Sequence, residues 1–156
     1  MSFSDLLARF TAAVEAGDGT ALGACFTADG VYHDHFYGAF RGREAIREML
    51  ENRFWRDAEA FRWDMEEPLA NDSIGYAHWL FSYKSRLPGA EGKRIAFEGI
   101  GCFHLKDGLI THYGEVFDQG MALAQTNFPA ERMARRLAKE ADALRERVAD
   151  TRHLRD

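Results

Sequence analysis

Two carboxylates in this chain stand beside tyrosines at strand spacing. Asp34 follows Tyr32 by two residues, and Glu115 follows Tyr113 by two. Residues i and i+2 of a strand share a face. On the last predicted strand Tyr113, Glu115 and Phe117 therefore point one way, and His112, Gly114 and Val116 the other. The same parity groups Phe61, Trp63 and Met65, then Ala77, Trp79, Phe81 and Tyr83, then Phe97, Gly99, Gly101 and Phe103. Aligned, these sets make one aromatic-walled cavity, with Glu115 among the rings and Tyr32 and Asp34 entering from a short strand. Apolar surroundings disfavour the charged form of an acid, and a second acid nearby raises one member further. Such a pair can hold one proton donor and one acceptor at neutral pH. The chemistry expected is acid/base work by Asp34 and Glu115, with Tyr32, Tyr37 or Tyr113 as hydrogen-bond donor. The plainer reading has Glu115 bonded to a backbone group or an arginine, and Asp34 simply ending its strand.

Other chemistries find less support. His33-Asp34-His35 could suggest a metal, yet parity turns both imidazoles away from Asp34, and no HExxH spacing occurs. No metal and no cofactor are expected. Gly38, Gly42, Gly99 and Gly101 match neither a dinucleotide loop nor a P-loop, and Gly-x-Ser-x-Gly is absent. Cys25 and Cys102 lie far apart and outside any CxxC pattern. With no leader visible in Met1–Thr20 and no bilayer-length apolar run, they point to a cytoplasmic protein that meets no membrane. The net charge of −5 conceals a gradient. From Pro129 onward eight basic residues face six acidic ones, while the body before it carries 12 basic against 19 acidic. A phosphate-binding surface needs the opposite sign, so nucleic acid is not an expected partner.

The elements that must position these groups follow from periodicity. At 156 residues, with 46% hydrophobic content, the chain is one domain of globular composition. Leu6, Leu7, Phe10, Ala13 and Val14 make a helical stripe that ends at Gly17. A second helix is read over 21–26 with Thr20 as its cap, and Ala28-Asp29-Gly30 as a turn. Val31 to Asp34 and Gly38 to Phe40 read as two short strands, and Arg43 to about Arg53 as a third helix. The period then changes to two. Strands are read around Phe61–Met65 and over 75–87, 94–105 and 109–117, followed by a helix from about Pro129 to Leu154. Helices first and strands later predict an α+β layer, with three helices on the concave face of a curved, mostly antiparallel sheet. The long C-terminal helix is an addition. Its stripe of Leu137, Ala141, Leu144 and Val148 can pack on the parent domain or against a partner's helix.

Phe10-Thr-Ala-Ala-Val-Glu-Ala-Gly-Asp18, Phe26-Thr-Ala-Asp-Gly-Val31, Asp34, Gly38-Ala-Phe-Arg-Gly-Arg-Glu-Ala-Ile46, and the meander with Gly108-Leu-Ile110 and Phe117-Asp118 form a pattern. It resembles the SnoaL-like, ketosteroid-isomerase-like group of the NTF2-like fold. The resemblance implies a cone-shaped domain over 1–128, with 129–156 as a helical extension. It places Asp34 where ketosteroid isomerases keep their proton-moving aspartate. Their oxyanion-hole tyrosine and aspartate fall at Phe10 and Gly101, which donate no side-chain hydrogen bond. Glu115 matches an acid of limonene-epoxide hydrolases, whose Arg-x-Asp falls near Trp79 and Phe81. Neither usual site is complete, so neither a steroid isomerase nor an epoxide hydrolase with those groups is expected. What remains is a small, largely apolar ligand in a closed pocket, walled by Phe10, Tyr37, Trp63, Trp79, Phe81, Phe103 and Phe117. The reaction expected is cofactor-independent isomerisation, dehydration, hydration or cyclisation by Asp34, Glu115, Tyr32 and Tyr113. A non-catalytic binding or assembly module is the alternative. The resemblance also implies a homodimer through the outer sheet face, with His78, Glu98, Ile100, Cys102, His104 and His112 in the contact.

Overall fold

The computed structural model describes residues 2–155. Met1 and Asp156, which bound the expected first segment and the expected extension, lie outside the described residues. Helix α1 (Phe3–Ala16) starts at Ser2, whose hydroxyl accepts from the Asp5 N–H while the Asp5 carboxylate accepts from Ser2. It ends at Gly17, whose φ of 69° is the left-handed conformation that glycine enters without strain. Leu6, Leu7, Phe10, Ala13 and Val14 are buried, as the stripe requires. Helix α2 (Gly19–Ala24) is capped by Asp18 rather than Thr20, because the Asp18 carboxylate reaches Ala21 N at 2.8 Å.

Strand β1 (Phe26–Asp34) begins five residues before the expected start. The supposed turn is a bulge: the register against the last strand shifts between Phe26 and Val31. Gly30 permits it, since a Cβ there would come within 2.9 Å of the Ile110 carbonyl oxygen. Strand β2 (Gly38–Arg41) follows, then α3 (Arg43–Met49). The expected single helix changes winding here, passing through a π-helical turn at Leu50–Phe54 into the short α4 (Trp55–Asp57).

Strands β3 (Ala58–Ala70), β4 (Ile74–Ser85), β5 (Arg94–Lys106) and β6 (Leu109–Phe117) make the antiparallel meander. Among the described residues the strands form one six-stranded sheet in the order β2-β1-β6-β5-β4-β3, with β1 parallel to β6 and the other pairs antiparallel. Strand β3 is longer than its alternating stretch predicts because two bulges, at Ala60 and Glu67 (both φ 50°), carry it past its apolar part. The helices lie on the concave face. Trp63 N–H donates to Glu15 Oε1 at 2.7 Å, and the Trp55 indole donates to the Val14 carbonyl at 3.2 Å. Phe10, Tyr32, Trp63, Ala77, Trp79, Ile95, Phe103 and Tyr113 form the buried centre beneath them.

One compact unit ends at Asp118 and a second begins at Gln119. The second contains a short helix the sequence reading missed, α5 (Gln119–Ala124), and α6 (Ala130–Arg147). Arg136 Nε on α6 donates to Gln119 Oε1 on α5 at 2.9 Å. Helix α6 stops seven residues short of Leu154. Beyond it the Thr151 hydroxyl bonds the Val148 carbonyl at 2.7 Å, a local alternative to the helical ladder. Leu137 and Leu144 of its stripe are exposed. No described helix is long and apolar enough to cross a membrane.

Candidate functional site

Register brings the two carboxylates to one place. In the parallel pair β1–β6, Tyr32 stands opposite Tyr113, so the next residues on that face of each strand are Asp34 and Glu115. Across the sheet Glu115 faces Gly101 of β5. Gly101 leaves the space above it to rings, for a Cβ there would meet Phe103 at 2.9 Å and Tyr113 at 3.2 Å.

Glu115 is half-buried, and Tyr113 Oη donates to its Oε2 at 2.7 Å. Burial, followed by the negative charge of Asp34, pushes the Glu115 carboxyl up to about 8, against the pull of the Tyr113 hydrogen bond. The neutral form of Glu115 is thereby favoured, with Asp34 acting on it as the charged neighbour. Asp34 is 5% exposed. Its Oδ1 accepts from Phe36 N at 2.7 Å and Tyr37 N at 2.8 Å, closing the turn between β1 and β2. Strand-ending and site geometry thus coexist in Asp34. The backbone of Glu115 is anchored separately, with a ring nitrogen of His35, Nε2, 2.6 Å from its carbonyl oxygen.

The tyrosines divide into two groups. Tyr32 and Tyr113 are fully buried, 4.8 Å apart between ring centres, and burial with the nearby carboxylates drives both phenols well above their ordinary value. Both phenols are held in their protonated form, and that of Tyr113 donates to Glu115. Tyr37 points elsewhere: its hydroxyl donates to Asp57 Oδ2 at 2.6 Å, and Asp57 is paired with Arg56. Tyr83 is a member that the sequence reading grouped with its strand but gave no role. Burial and the charges of Asp34 and Asp57 push it up to about 12. Its parity with Phe81 was the available signal. Asp57 carried none, because the residues around it follow neither helical nor strand spacing.

Aromatic rings close the face. Phe10 is wholly buried and packs against Phe26, Tyr32, Trp63, Phe103 and Tyr113 at 5.2–6.2 Å between centres. Trp63 contacts Phe81 at 4.8 Å, and Phe117 contacts Trp79 at 5.6 Å and Phe97 at 5.1 Å. Two donors in this wall lack partners among the described residues, Trp63 Nε1 and Trp79 Nε1. An unmade hydrogen bond of this kind costs about 1–3 kcal/mol.

The imidazoles of His33, His104 and His112 on the strands and of His35 in the turn after β1 form a chain with ring centres 5.8–6.3 Å apart. Among the described residues no three His, Cys, Asp or Glu side chains are arranged to hold a metal. An open groove of about 570 Å³ also lies away from the carboxylates, lined by Asp29, Arg41, Arg43, Lys106, Asp107 and His112 among others.

The model of the SnoaL-like domain matches residues 7–113, more than two thirds of the sequence. The chain belongs to the SnoaL-like family. No curated protein matches it. Among solved structures, this SnoaL-like chain is similar to a hypothetical protein of ketosteroid isomerase-like fold from Catenulispora acidiphila, crystallised with trimethylamine. The TM-score is 0.72 at 21% identity, over 83% of this chain and 98% of that one. A protein from Xanthomonas campestris assigned as a polyketide cyclase gives 0.65 at 22% identity, covering 80% and 96%. An epoxide hydrolase from M. tuberculosis, of the type abbreviated LEH, gives 0.63 at 20%, covering 78% and 86%. At such identities the likeness is one of fold, so the chemistry of this SnoaL-like site must be argued from its own residues.

Proposed function

We propose that this SnoaL-like protein encloses a small, largely apolar organic molecule against the concave sheet face and moves protons on it without a cofactor. Isomerisation, dehydration, hydration and ring closure all fall within that chemistry. The observation that carries the reading is the β1–β6 register that sets Asp34 and Glu115 on one aromatic face, where burial and the Asp34 charge favour the neutral form of Glu115. Glu115 is the proton donor and Asp34 the acceptor, while Tyr32 and Tyr113 hold or orient groups beside them. Phe10, Trp63, Trp79, Phe81, Phe103 and Phe117 supply the apolar wall, and Tyr37 braces its edge through Asp57. Solvent-deuterium exchange at carbon tests this, with cyclohexanone and 2-tetralone as probe carbon acids followed by proton NMR. Exchange that is lost in Asp34→Asn and Glu115→Gln supports proton transfer. Binding without exchange in the unaltered protein would leave a non-catalytic ligand-binding module instead.

The protein acts as a homodimer in a reducing, cytoplasmic setting, with no nucleic-acid partner. The outer face supports the dimer. Tyr76, Leu80, Ile100 and Val116 are exposed there, and His78 lies within 3.5 Å of Glu98 and 3.8 Å of Glu66. Light scattering of the unaltered protein and of Ile100→Glu should give dimer and monomer masses respectively. A monomer in both cases removes the dimer from the account.

A further inference from the structure

Of three tryptophans, Trp55 spends its indole N–H on the Val14 carbonyl, whereas Trp63 and Trp79 keep theirs buried and unspent. Buried indoles usually find an acceptor, so two orphans in one wall call for a reason. They stand together. Trp63 pairs with Phe81 and Trp79 with Met65 across β3 and β4, which makes the two indoles diagonal neighbours on the face that bears Asp34 and Glu115. Their rings lie 6.2 Å apart and nearly perpendicular, at 84°.

Position 99 shows which way one of them reaches. A Cβ on Gly99 would sit 2.5 Å from Trp79 Cζ2, on the benzo ring next to the N–H edge. Glycine therefore admits that part of the indole over β5, the strand next to the one carrying Glu115. Trp63 in turn lies 6.3 Å from the ring of Tyr113, whose hydroxyl holds Glu115. Several other positions on this face are already committed or have no donor. Tyr113 bonds Glu115, Tyr37 bonds Asp57, and Phe10 and Gly101 have nothing to donate.

We infer that the indole N–H groups of Trp63 and Trp79 receive an acceptor oxygen of the ligand, so the molecule taken by this face is an apolar carbonyl compound. The inference rests on the concave face being the ligand chamber, as proposed above, and adds the substrate class to it. The carbonyl oxygen lies on the two indoles and the carbon framework lies along Phe81, Phe103 and Phe117, within reach of the carboxyl pair. The donors missing at positions 10 and 101 are replaced from β3 and β4.

Acetophenone and cumene, which share a shape and differ in the oxygen, are the test pair. In nitrogen–proton correlation spectra of the unaltered protein, acetophenone should move the Trp63 and Trp79 indole proton signals downfield. Trp55 should stay fixed as an internal control, and cumene should give no such downfield shift. In the Trp63→Phe, Trp79→Phe double variant, acetophenone should bind about tenfold more weakly and cumene within twofold of before. If both probes bind but the two indole signals ignore the oxygen, or both weaken equally in the variant, the indole assignment is wrong and the chamber stands. If neither probe binds, the chamber reading falls, and this inference falls with it.

Discussion

Glu115 is governed by opposed influences, each traceable to a neighbour. Burial and the Asp34 charge favour its neutral form, while the 2.7 Å hydrogen bond from Tyr113 favours the carboxylate. Removing the phenol therefore has a definite sign. In Tyr113→Phe the Glu115 carboxyl should titrate above its value of about 8, read by carbon NMR of labelled glutamate. A titration at or below the unaltered value would show that the hydrogen bond is not the restraint it is taken for. Asp34 carries two duties, because the turn to β2 hangs on its Oδ1 through Phe36 and Tyr37. Asn keeps the acceptor oxygen and removes the charge. Asp34→Asn thus separates the turn from the proton chemistry, where Asp34→Ala would lose both.

The strands that carry the site were legible from their alternation. Phe61-x-Trp63-x-Met65 and Tyr113-x-Glu115-x-Phe117 give the face outright, and the parity of β4 and β5 follows from their rings. Local irregularities were not legible. Gly30 looks like a turn residue and is instead the bulge that lets β1 run on beside β6. The π-helical turn Leu50–Phe54 keeps an apolar helical pattern while changing the winding, so spacing alone gives no sign of it. The orphaned indoles are likewise invisible in sequence, because a tryptophan shows its ring there and not its partner. Gly99 was read as a small residue on the apolar parity, outside any phosphate-loop spacing, yet it fixes the fit of β4 to β6. A Cβ there would also approach the Val116 carbonyl at 2.6 Å and the Phe117 Cβ at 2.7 Å. Backbone cannot yield as a side-chain end can. Gly99→Ala should cost about 1–3 kcal/mol in urea unfolding, with Trp79 fluorescence altered in the folded state. A cost near zero would mean the sheet accommodates the methyl group.

The stability of the whole molecule should carry the mark of the site. A glutamate that titrates near 8 when folded and near its ordinary 4.5 when unfolded binds more protons in the folded state between those values. Its contribution to stability is therefore full below about pH 4.5 and is lost as pH rises through about 8. Melting temperature should fall from pH 5 to pH 8.5 in the unaltered protein and fall less in Glu115→Gln. Equal slopes would assign the pH dependence to other groups. The measurement that reaches the central claim most directly is the carbon NMR titration of Glu115 in the unaltered protein and in Asp34→Asn. Two coupled acids on one buried face require a midpoint near 8 that drops clearly when the Asp34 charge is removed. A midpoint in the ordinary carboxylate range, unmoved by Asp34→Asn, would contradict the coupling and with it the proton chemistry assigned to this face.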